Sequence, residues 1–148
     1  MATVYRNQEH GFQIDLPEMW RGPGVIGRLI SGERNPSLRC GPGEAFNFEV
    51  GPLHPEPALS HTEREFSDNA RSQGYSQLHF GRIRVEGKDH VWAKYRMPQG
   101  LWTKKYMVVL DGVEYCMTAS ATNQQWFEQR EPIWDRTVAT FRRLRSAG

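Results

Sequence analysis

The pair Asp111-Gly112 joins two runs in which apolar and polar residues alternate, LWTKKYMVVL at 101–110 and VEYCMTASA at 113–121. Asp-Gly between such runs favours a type I′ turn, in which both central residues take positive φ. Because side chains alternate with a period of two along a strand, a two-residue turn also fixes the register of the hairpin. The predicted same-face pairs are Leu110 with Val113, Val108 with Tyr115, Tyr106 with Met117 and Trp102 with Ala121.

Other segments carry the same period-two pattern. GFQIDLP at 11–17 alternates apolar and polar residues and ends at Pro17, which has no N–H to donate to a ladder. FNFEV at 46–50 alternates in the same way, and LHFGRIRV and HVWAKYRM flank the turn residues EGKD at 86–89. Val4 and Tyr5 are consistent with a short first strand. The sequence therefore predicts an α+β fold with an antiparallel sheet of five to seven strands.

A first helix is predicted from Ser60 to about Gln73. Ser60 and Glu63 have the spacing of a capping box, in which each residue's side chain bonds the other's amide. Phe66 and Ala70 form an apolar i, i+4 pair, and a glycine at position 74 is typical of the residue that follows a helix.

A second helix is predicted near the C-terminus. Thr122 and Gln125 have the spacing of another capping box, and apolar residues recur on the way to Phe141. Pro132 lies inside this segment and either introduces a kink or begins a new helix at its first position.

Length and charge bound the function. A chain of 148 residues has the size of one domain, so residues 1–148 are expected to form a single domain around one core. The net charge is +2, and Arg142, Arg143 and Arg145 supply much of the excess. A nucleic-acid-binding domain usually has a far stronger basic face, so we interpret this cluster as a solvated tail and expect no nucleic-acid partner.

Cysteine usage and hydropathy indicate the cellular location. Cys40 and Cys116 are far apart and form no CxxC or Cys/His spacing. The first residues do not have the pattern of a secretory signal, and no apolar run is long enough to cross a bilayer. Together these features predict a reduced, cytoplasmic location without a membrane span.

No motif supports a catalytic, cofactor or metal site. GPGVIG at 22–27 reads G-x-G-x-x-G, but neither a strand before it nor a helix after it is predicted, so we interpret it as a loop. His54, Glu56 and His61 lack the i, i+4 spacing of helical metal ligands. Cys40, beside Arg39 in a glycine-rich loop, is a weak candidate nucleophile, whereas Cys116 is expected to pack inside a strand.

Five tryptophans are many for one small domain: Trp20, Trp92, Trp102, Trp126 and Trp134. Rings that cluster outside the core would mark a partner site, because protein interfaces favour aromatic anchors. The simpler interpretation is that they are core and half-buried rings.

The order of these segments resembles the PsbP-like superfamily. The resemblance rests on Tyr5, GFQIDLPEMW at 11–20, the helix at 60–74, the double hairpin with GVEYCMTASA at 112–121, and residues 134–141. The superfamily includes the photosystem protein PsbP, a Ran-binding nuclear import factor, and bacterial DcrB-like proteins, some of which are chaperones for type VI secretion effectors. The resemblance implies a central antiparallel sheet with helices on both sides, but no functional residues transfer.

The resemblance and the missing catalytic motifs imply a non-enzymatic protein-binding adaptor or chaperone, similar to cytoplasmic DcrB-like effector chaperones. The expected interaction uses exposed apolar or aromatic side chains and no deep pocket, with an unidentified protein partner, no cofactor and a homodimer as one option. The alternative is a small-ligand or lipid-binding module with a pocket between sheet and helices, and an enzyme is the third option.

The turn assignment can be tested with Gly112→Val. A β-branched residue at positive φ is strained, so we expect the variant to lose about 1–2 kcal/mol of stability. Thermal unfolding followed by circular dichroism measures this loss. A variant that melts at the wild-type temperature would show that Gly112 is not in such a turn.

Overall fold

The computed structural model describes residues 3–8, 10–17, 37–41, 44–52 and 58–144. The strands of this part of the chain are β1 (Thr3–Asn7), β2 (Phe12–Leu16), β3 (Ser37–Gly41), β4 (Glu44–Pro52), β5 (Ser76–Val85), β6 (Lys88–Arg96), β7 (Trp102–Leu110), β8 (Val113–Ala121) and β9 (Arg142–Arg143). Its helices are α1 (Leu59–Ser72) and α2 (Gln124–Ala139).

Six strands form the central antiparallel sheet in the order β3-β4-β8-β7-β6-β5. A smaller antiparallel sheet has the order β1-β2-β9. The helices pack on opposite faces of the central sheet, since the two core clusters to which they contribute lie on opposite sides of its strands. The predicted fold class, an antiparallel sheet of five to seven strands flanked by helices, is confirmed.

The Asp111-Gly112 hairpin has the predicted register. Asp111 and Gly112 take φ values of 50° and 72°, and Val108 lies opposite Tyr115. The other predicted pairs, Leu110 with Val113, Tyr106 with Met117 and Trp102 with Ala121, are also present.

The β5–β6 turn is shorter than predicted. Val85 pairs directly with Lys88, so Glu86 and Gly87 alone form the turn, with φ values of 50° and 73°. Lys88 and Asp89 belong to β6. Glu-Gly is a weaker type I′ signal than Asp-Gly, which is why the sequence pattern does not define the turn's ends.

One face of the central sheet is covered by α2 and the small sheet. Phe12, Ile14 and Leu16 are buried, as their spacing predicts. The ring of Phe12 stacks on Phe48 at 5.4 Å and on Phe141 at 5.0 Å between centroids. These contacts join the small sheet, the central sheet and the segment after α2 into one core.

The other face of the sheet packs against α1. Phe66 and Ala70 are buried there against Val91, Ala93 and Tyr95. The predicted apolar pair of the first helix therefore faces the core.

The predicted capping box of α1 is wrong. The helix begins at Leu59, its N-cap is Ala58, and no side chain caps it. Ser60 lies inside the first turn, and Glu63 instead forms an ion pair with Arg82 of β5. The Glu63 carboxylate therefore binds a residue of another element, Arg82, and not the backbone amide at the start of its own helix. The end is as predicted, with Gly74 at φ 76° after the helix.

The predicted capping box of α2, Thr122 with Gln125, is also wrong, because the residue three positions after the observed N-cap is Trp126, which cannot bond back to it. Asn123, rather than Thr122, is the N-cap of α2, and its side-chain oxygen accepts the Trp126 N–H at 2.8 Å. Asparagine is at least as good an N-cap as threonine, which is consistent with Asn123 taking this position. Pro132 lies within one continuous helix and does not begin a new one.

The C-terminal arginines are not a solvated tail. Arg142 and Arg143 form β9 beside β2. Arg142 pairs with Asp15 at 3.1 Å, and Arg143 pairs with Glu86 and Asp111, which lie in two hairpin turns. Partners far away in sequence therefore neutralise this charge; Arg145 lies outside the described residues.

The His90 side chain links three strands, β5, β6 and β7, just beyond the end of the β6–β7 ladder at Val91. Its Nδ1 accepts the Val109 N–H at 3.2 Å, and its Nε2–H donates to the Val85 carbonyl at 3.2 Å. Both nitrogens are used by the neutral ring, and burial lowers the pKa of His90. The imidazole thus replaces a ladder bond that β6 and β7 no longer make.

Gly81 of β5 lies directly beneath a tryptophan. It pairs with Trp92, and a Cβ added at Gly81 would lie 2.1 Å from the indole Cζ2. Only glycine at this position therefore leaves space for the Trp92 ring to pack against the neighbouring strand.

We expect Gly81→Ala to destabilise the protein by about 1–3 kcal/mol, because the Trp92 ring must move out of its packed position. Gly51→Ala is the matched control, since Gly51 is also in a strand and nothing lies within 4 Å of an added Cβ. The control should be neutral or slightly stabilising. Urea unfolding midpoints measure both, and equal midpoints would contradict the predicted role of Gly81.

Candidate functional site

A lysine is buried between the central sheet and α2. Lys104 of β7 is 2% exposed, and its Nζ lies 2.8 Å from Glu131 Oε2 and 2.7 Å from Asp135 Oδ1. The two carboxylates are four residues apart and so share one face of α2. The ammonium also lies 4.1 Å from the centroid of the Trp92 ring. Two carboxylates and an aromatic face together replace the water that this ammonium loses on folding.

Neighbouring groups complete this buried cluster. The Tyr106 hydroxyl donates to Asp135, and burial together with that carboxylate raises the pKa of Tyr106. Burial alone would raise the pKa of Glu131, but Lys104 and Lys94 hold it below its usual value. Lys94 Nζ lies 3.4 Å and 3.5 Å from the two oxygens of Glu131, a looser contact than that of Lys104.

A cavity of about 180 Å³ opens beside the buried cluster, between α2 and three strands of the central sheet. Its floor is aromatic: Trp102 is half-buried, Phe127 is buried, and their ring centroids are 6.3 Å apart. Its lining residues are Gln77 and His79 of β5, Lys94 and Tyr95 of β6, Trp102 of β7, and Gln124, Phe127, Glu128 and Glu131 of α2.

The carboxylates of the cavity differ in their surroundings. Glu131 is neutralised by the two lysines described above. Glu128, one turn earlier, is exposed and accepts only a 3.4 Å hydrogen bond from the Gln124 amide. Among the described residues no cation lies within ion-pair distance of Glu128. The cavity therefore combines an aromatic floor with one carboxylate, that of Glu128, that has no counter-charge in the part of the chain that the structure describes.

A second concavity lies where β2 meets the C-terminal half of α2. It is an open groove of about 290 Å³ between the Asp15–Pro17 segment and Ile133, Arg136, Thr137 and Thr140. Its one carboxylate, that of Asp15, is already paired with Arg142. Arg136, which is exposed, also lines the groove, so its apolar surface lies beside a cation.

Of the candidate nucleophile and metal-ligating residues from the sequence, Cys116, Cys40 and His61 are described, and they lie in three different elements. Cys116 is buried in β8, and burial raises its pKa to about 12, consistent with a packed side chain. Cys40 lies in β3 and not in a loop, which corrects the prediction. His61 is exposed on α1, 3.6 Å from Glu65. His54, Glu56 and GPGVIG lie outside the described residues, and within those described no group of three or more metal-ligating side chains occurs.

The tryptophans follow the simpler interpretation. Trp134 is fully buried, and Trp92, Trp102 and Trp126 are half-buried against the main core. Among the described residues, Val4 is the one large hydrophobic side chain that is exposed. The expectation of exposed aromatic residues is therefore wrong for these four rings, and Trp20 lies outside the described residues.

Sequence reasoning missed the buried cluster, although the hairpin register contained a signal for it. Alternation from Leu110 back through Tyr106 places Lys104 on the face that packs into the core. A lysine on such a face requires a buried counter-charge. Its partners, Glu131 and Asp135, lie on α2, and nothing local identifies them.

Comparison with known proteins bears on the fold. No family model and no curated protein matches the sequence. Cyanobacterial PsbP (CyanoP) from Synechocystis sp. PCC 6803 is 14% identical, with a TM-score of 0.60 over 96% of this chain and 92% of its own. The Saccharomyces cerevisiae Ran-binding protein Mog1p is 6% identical, with a TM-score of 0.64 over 97% and 96%. The chain has the PsbP-like fold.

A third structure has the same PsbP-like fold. The PA94 protein of Pseudomonas aeruginosa, described as of unknown function, is 17% identical, with a TM-score of 0.60 over 99% of this chain and 98% of its own. At such identities the similarity establishes the fold alone, because one fold carries many functions. No helix in the described ranges has the length and apolar character needed to cross a membrane.

The cluster predicts different effects for two lysines. Lys104→Met leaves two carboxylates facing each other without their main cation, so we expect a loss of about 2–3 kcal/mol of stability. Lys94→Met, at the more exposed position, should cost less than about 1 kcal/mol. Chemical unfolding at pH 7 measures both, and similar losses would contradict the central role of Lys104.

The stability of Lys104→Met should also depend on pH less strongly than that of wild type. Because the pKa of Glu131 is lowered from 4.5, its contribution is present above that pH and is lost as the pH falls through the folded-state pKa. Removing Lys104 removes most of that shift. We therefore expect Lys104→Met to lose less stability than wild type between pH 6 and pH 3, measured by urea unfolding.

Proposed function

We propose that this protein is a non-enzymatic, protein-binding adaptor or chaperone, similar to the cytoplasmic DcrB-like effector chaperones, and that residues 1–148 act as one domain. The observation that carries the proposal is the 180 Å³ cavity between α2 and the sheet. It is half-open, has an aromatic floor and a charged rim, and is smaller than the roughly 300 Å³ at which ligand pockets usually begin. A cavity of this kind suits one side chain of a protein partner.

The chemistry of the buried cluster also supports a binding role. Lys104, Glu131 and Asp135 neutralise one another and attach α2 to the sheet. Lys104, whose side chain is 2% exposed, has no access to a substrate, and a catalytic acid or base needs such access. The fold similarity adds a precedent, because Mog1p is a Ran-binding protein.

The alternative is a small-ligand module. The cavity does lie between the sheet and a helix, where that alternative expects it. The cavity volume of about 180 Å³ favours a small polar molecule over a lipid. The open groove near β2, at about 290 Å³, also offers little room for a lipid. The two proposals differ in what should be found bound to the protein.

A pair of glutamine variants tests the adaptor proposal. Gln124→Arg places a long cation at the cavity mouth, whereas Gln73→Arg makes the same exchange at the end of α1, on the opposite face of the sheet. Both glutamines are exposed, so both variants should fold like wild type. We expect affinity capture from an extract of the source organism to yield a partner with wild type and Gln73→Arg that Gln124→Arg retains at least ten-fold less.

Equal capture by all three proteins would contradict a partner site at the cavity. Native mass spectrometry of the purified protein separates the alternative: a stoichiometric small molecule that is displaced in Gln124→Arg would favour the ligand-binding module.

A further inference from the structure

We infer that the cavity beside α2 accepts an arginine side chain of the protein partner, with its guanidinium on the Trp102–Phe127 floor and against the Glu128 carboxylate. The inference rests on the proposed function, since it specifies the chemistry of the side chain that enters the same cavity.

The aromatic floor favours a cation. The faces of aromatic rings carry negative charge density and attract ammonium and guanidinium groups within about 6 Å. Trp102 already has such a contact within this chain, because the Arg96 guanidinium lies 5.9 Å from its centroid. Phe127 extends the apolar surface and is itself fixed edge-on against the buried Trp134, with centroids 5.3 Å apart. Arg96 does not line the cavity, so its contact shows that the Trp102 ring attracts a guanidinium without placing that cation inside the cavity.

The charge balance of the cavity also favours a cation. Its cationic side chains are engaged: Lys94 contacts Glu131 and the Trp92 ring, and the neighbouring Lys104 is enclosed by two carboxylates. The carboxylate of Glu128 has the Gln124 amide as its one described partner. An incoming anion would meet this uncompensated negative charge, whereas an incoming cation would neutralise it.

Geometry distinguishes arginine from lysine. A guanidinium is planar, so it can stack on an indole and present two N–H groups to one carboxylate at the same time. An ammonium is more strongly hydrated and donates without that planar match. An arginine side chain can therefore stack on the Trp102 ring and bind the Glu128 carboxylate at the same time, whereas a lysine side chain makes both contacts less well.

The test uses three peptides that differ in one side chain: acetyl-Gly-Arg-Gly-amide and its lysine and citrulline counterparts. Citrulline has nearly the shape of arginine but no charge. Binding is followed by the amide resonances of α2 and the indole N–H resonance of Trp102 in two-dimensional NMR. We expect the arginine peptide to bind most tightly, the lysine peptide more weakly, and the citrulline peptide at least five-fold more weakly than arginine.

Two glutamate variants show where the peptide binds. Glu128→Gln removes the unpaired carboxylate and should weaken the arginine peptide about five-fold or more. Glu65→Gln is the matched control on α1, exposed and on the other face of the sheet, and should leave the affinity unchanged. The thermal midpoints of both variants should equal that of wild type, because neither carboxylate is buried.

Three results would overturn the inference: equal affinity for the citrulline peptide, a lysine peptide that binds as tightly as arginine, or an unchanged affinity in Glu128→Gln. Failure here is distinguishable from failure of the adaptor proposal. If Gln124→Arg loses its partner while the arginine peptide does not bind, the adaptor proposal stands and the arginine assignment falls. If the peptide binds as expected while no partner is captured, the cavity assignment stands without an adaptor role.

Discussion

The ammonium of Lys104, buried between β7 and α2, is the interaction on which the arrangement of this molecule depends. A charge removed from water in this way is tolerated only if its partners are held in place, and here they are Glu131 and Asp135 on one helix face. That requirement fixes α2 in both rotation and position along the sheet. The Trp92 ring lies against the same ammonium, and Gly81 on the neighbouring strand provides the space for it. A helix, a large ring and a glycine therefore all pack around this one charge.

The cavity beside this cluster is a consequence of the same constraint. With Glu131 directed at Lys104, the residues one turn earlier, Phe127 and Glu128, lie over the start of β7 and beside Trp102. No single segment contains the site, since its lining comes from β5, β6, β7 and α2. The structural charges and the charge available for binding are thus adjacent on one helix. They differ in their surroundings: Glu131 is compensated by two lysines, whereas Glu128 has the Gln124 amide as its one partner among the described residues.

A second set of polar contacts ties the small sheet to the large one. Arg143 of β9 reaches the first residues of two hairpin turns, Glu86 and Asp111, both at positive φ. Exposed ion pairs of this kind contribute little each, but these hold the turns beside β9 while the Phe12 and Phe141 rings fill the core beneath. The apolar contacts supply most of the stability, and the charges select one arrangement.

The sequence by itself determined the elements with strong local signals. Asp111-Gly112 defines a hairpin and its register, the spacing of Phe12, Ile14 and Leu16 defines a core strand, and Gly74 marks a helix end, because turn geometry and alternation act over a few residues. Only the tertiary structure decided the rest. Glu63 pairs with Arg82 instead of capping its helix, Arg142 and Arg143 join a sheet, and Lys104 finds Glu131 and Asp135 about 30 positions away. A charged side chain selects its partner by distance in space, and that distance is set by long-range packing that no local pattern encodes.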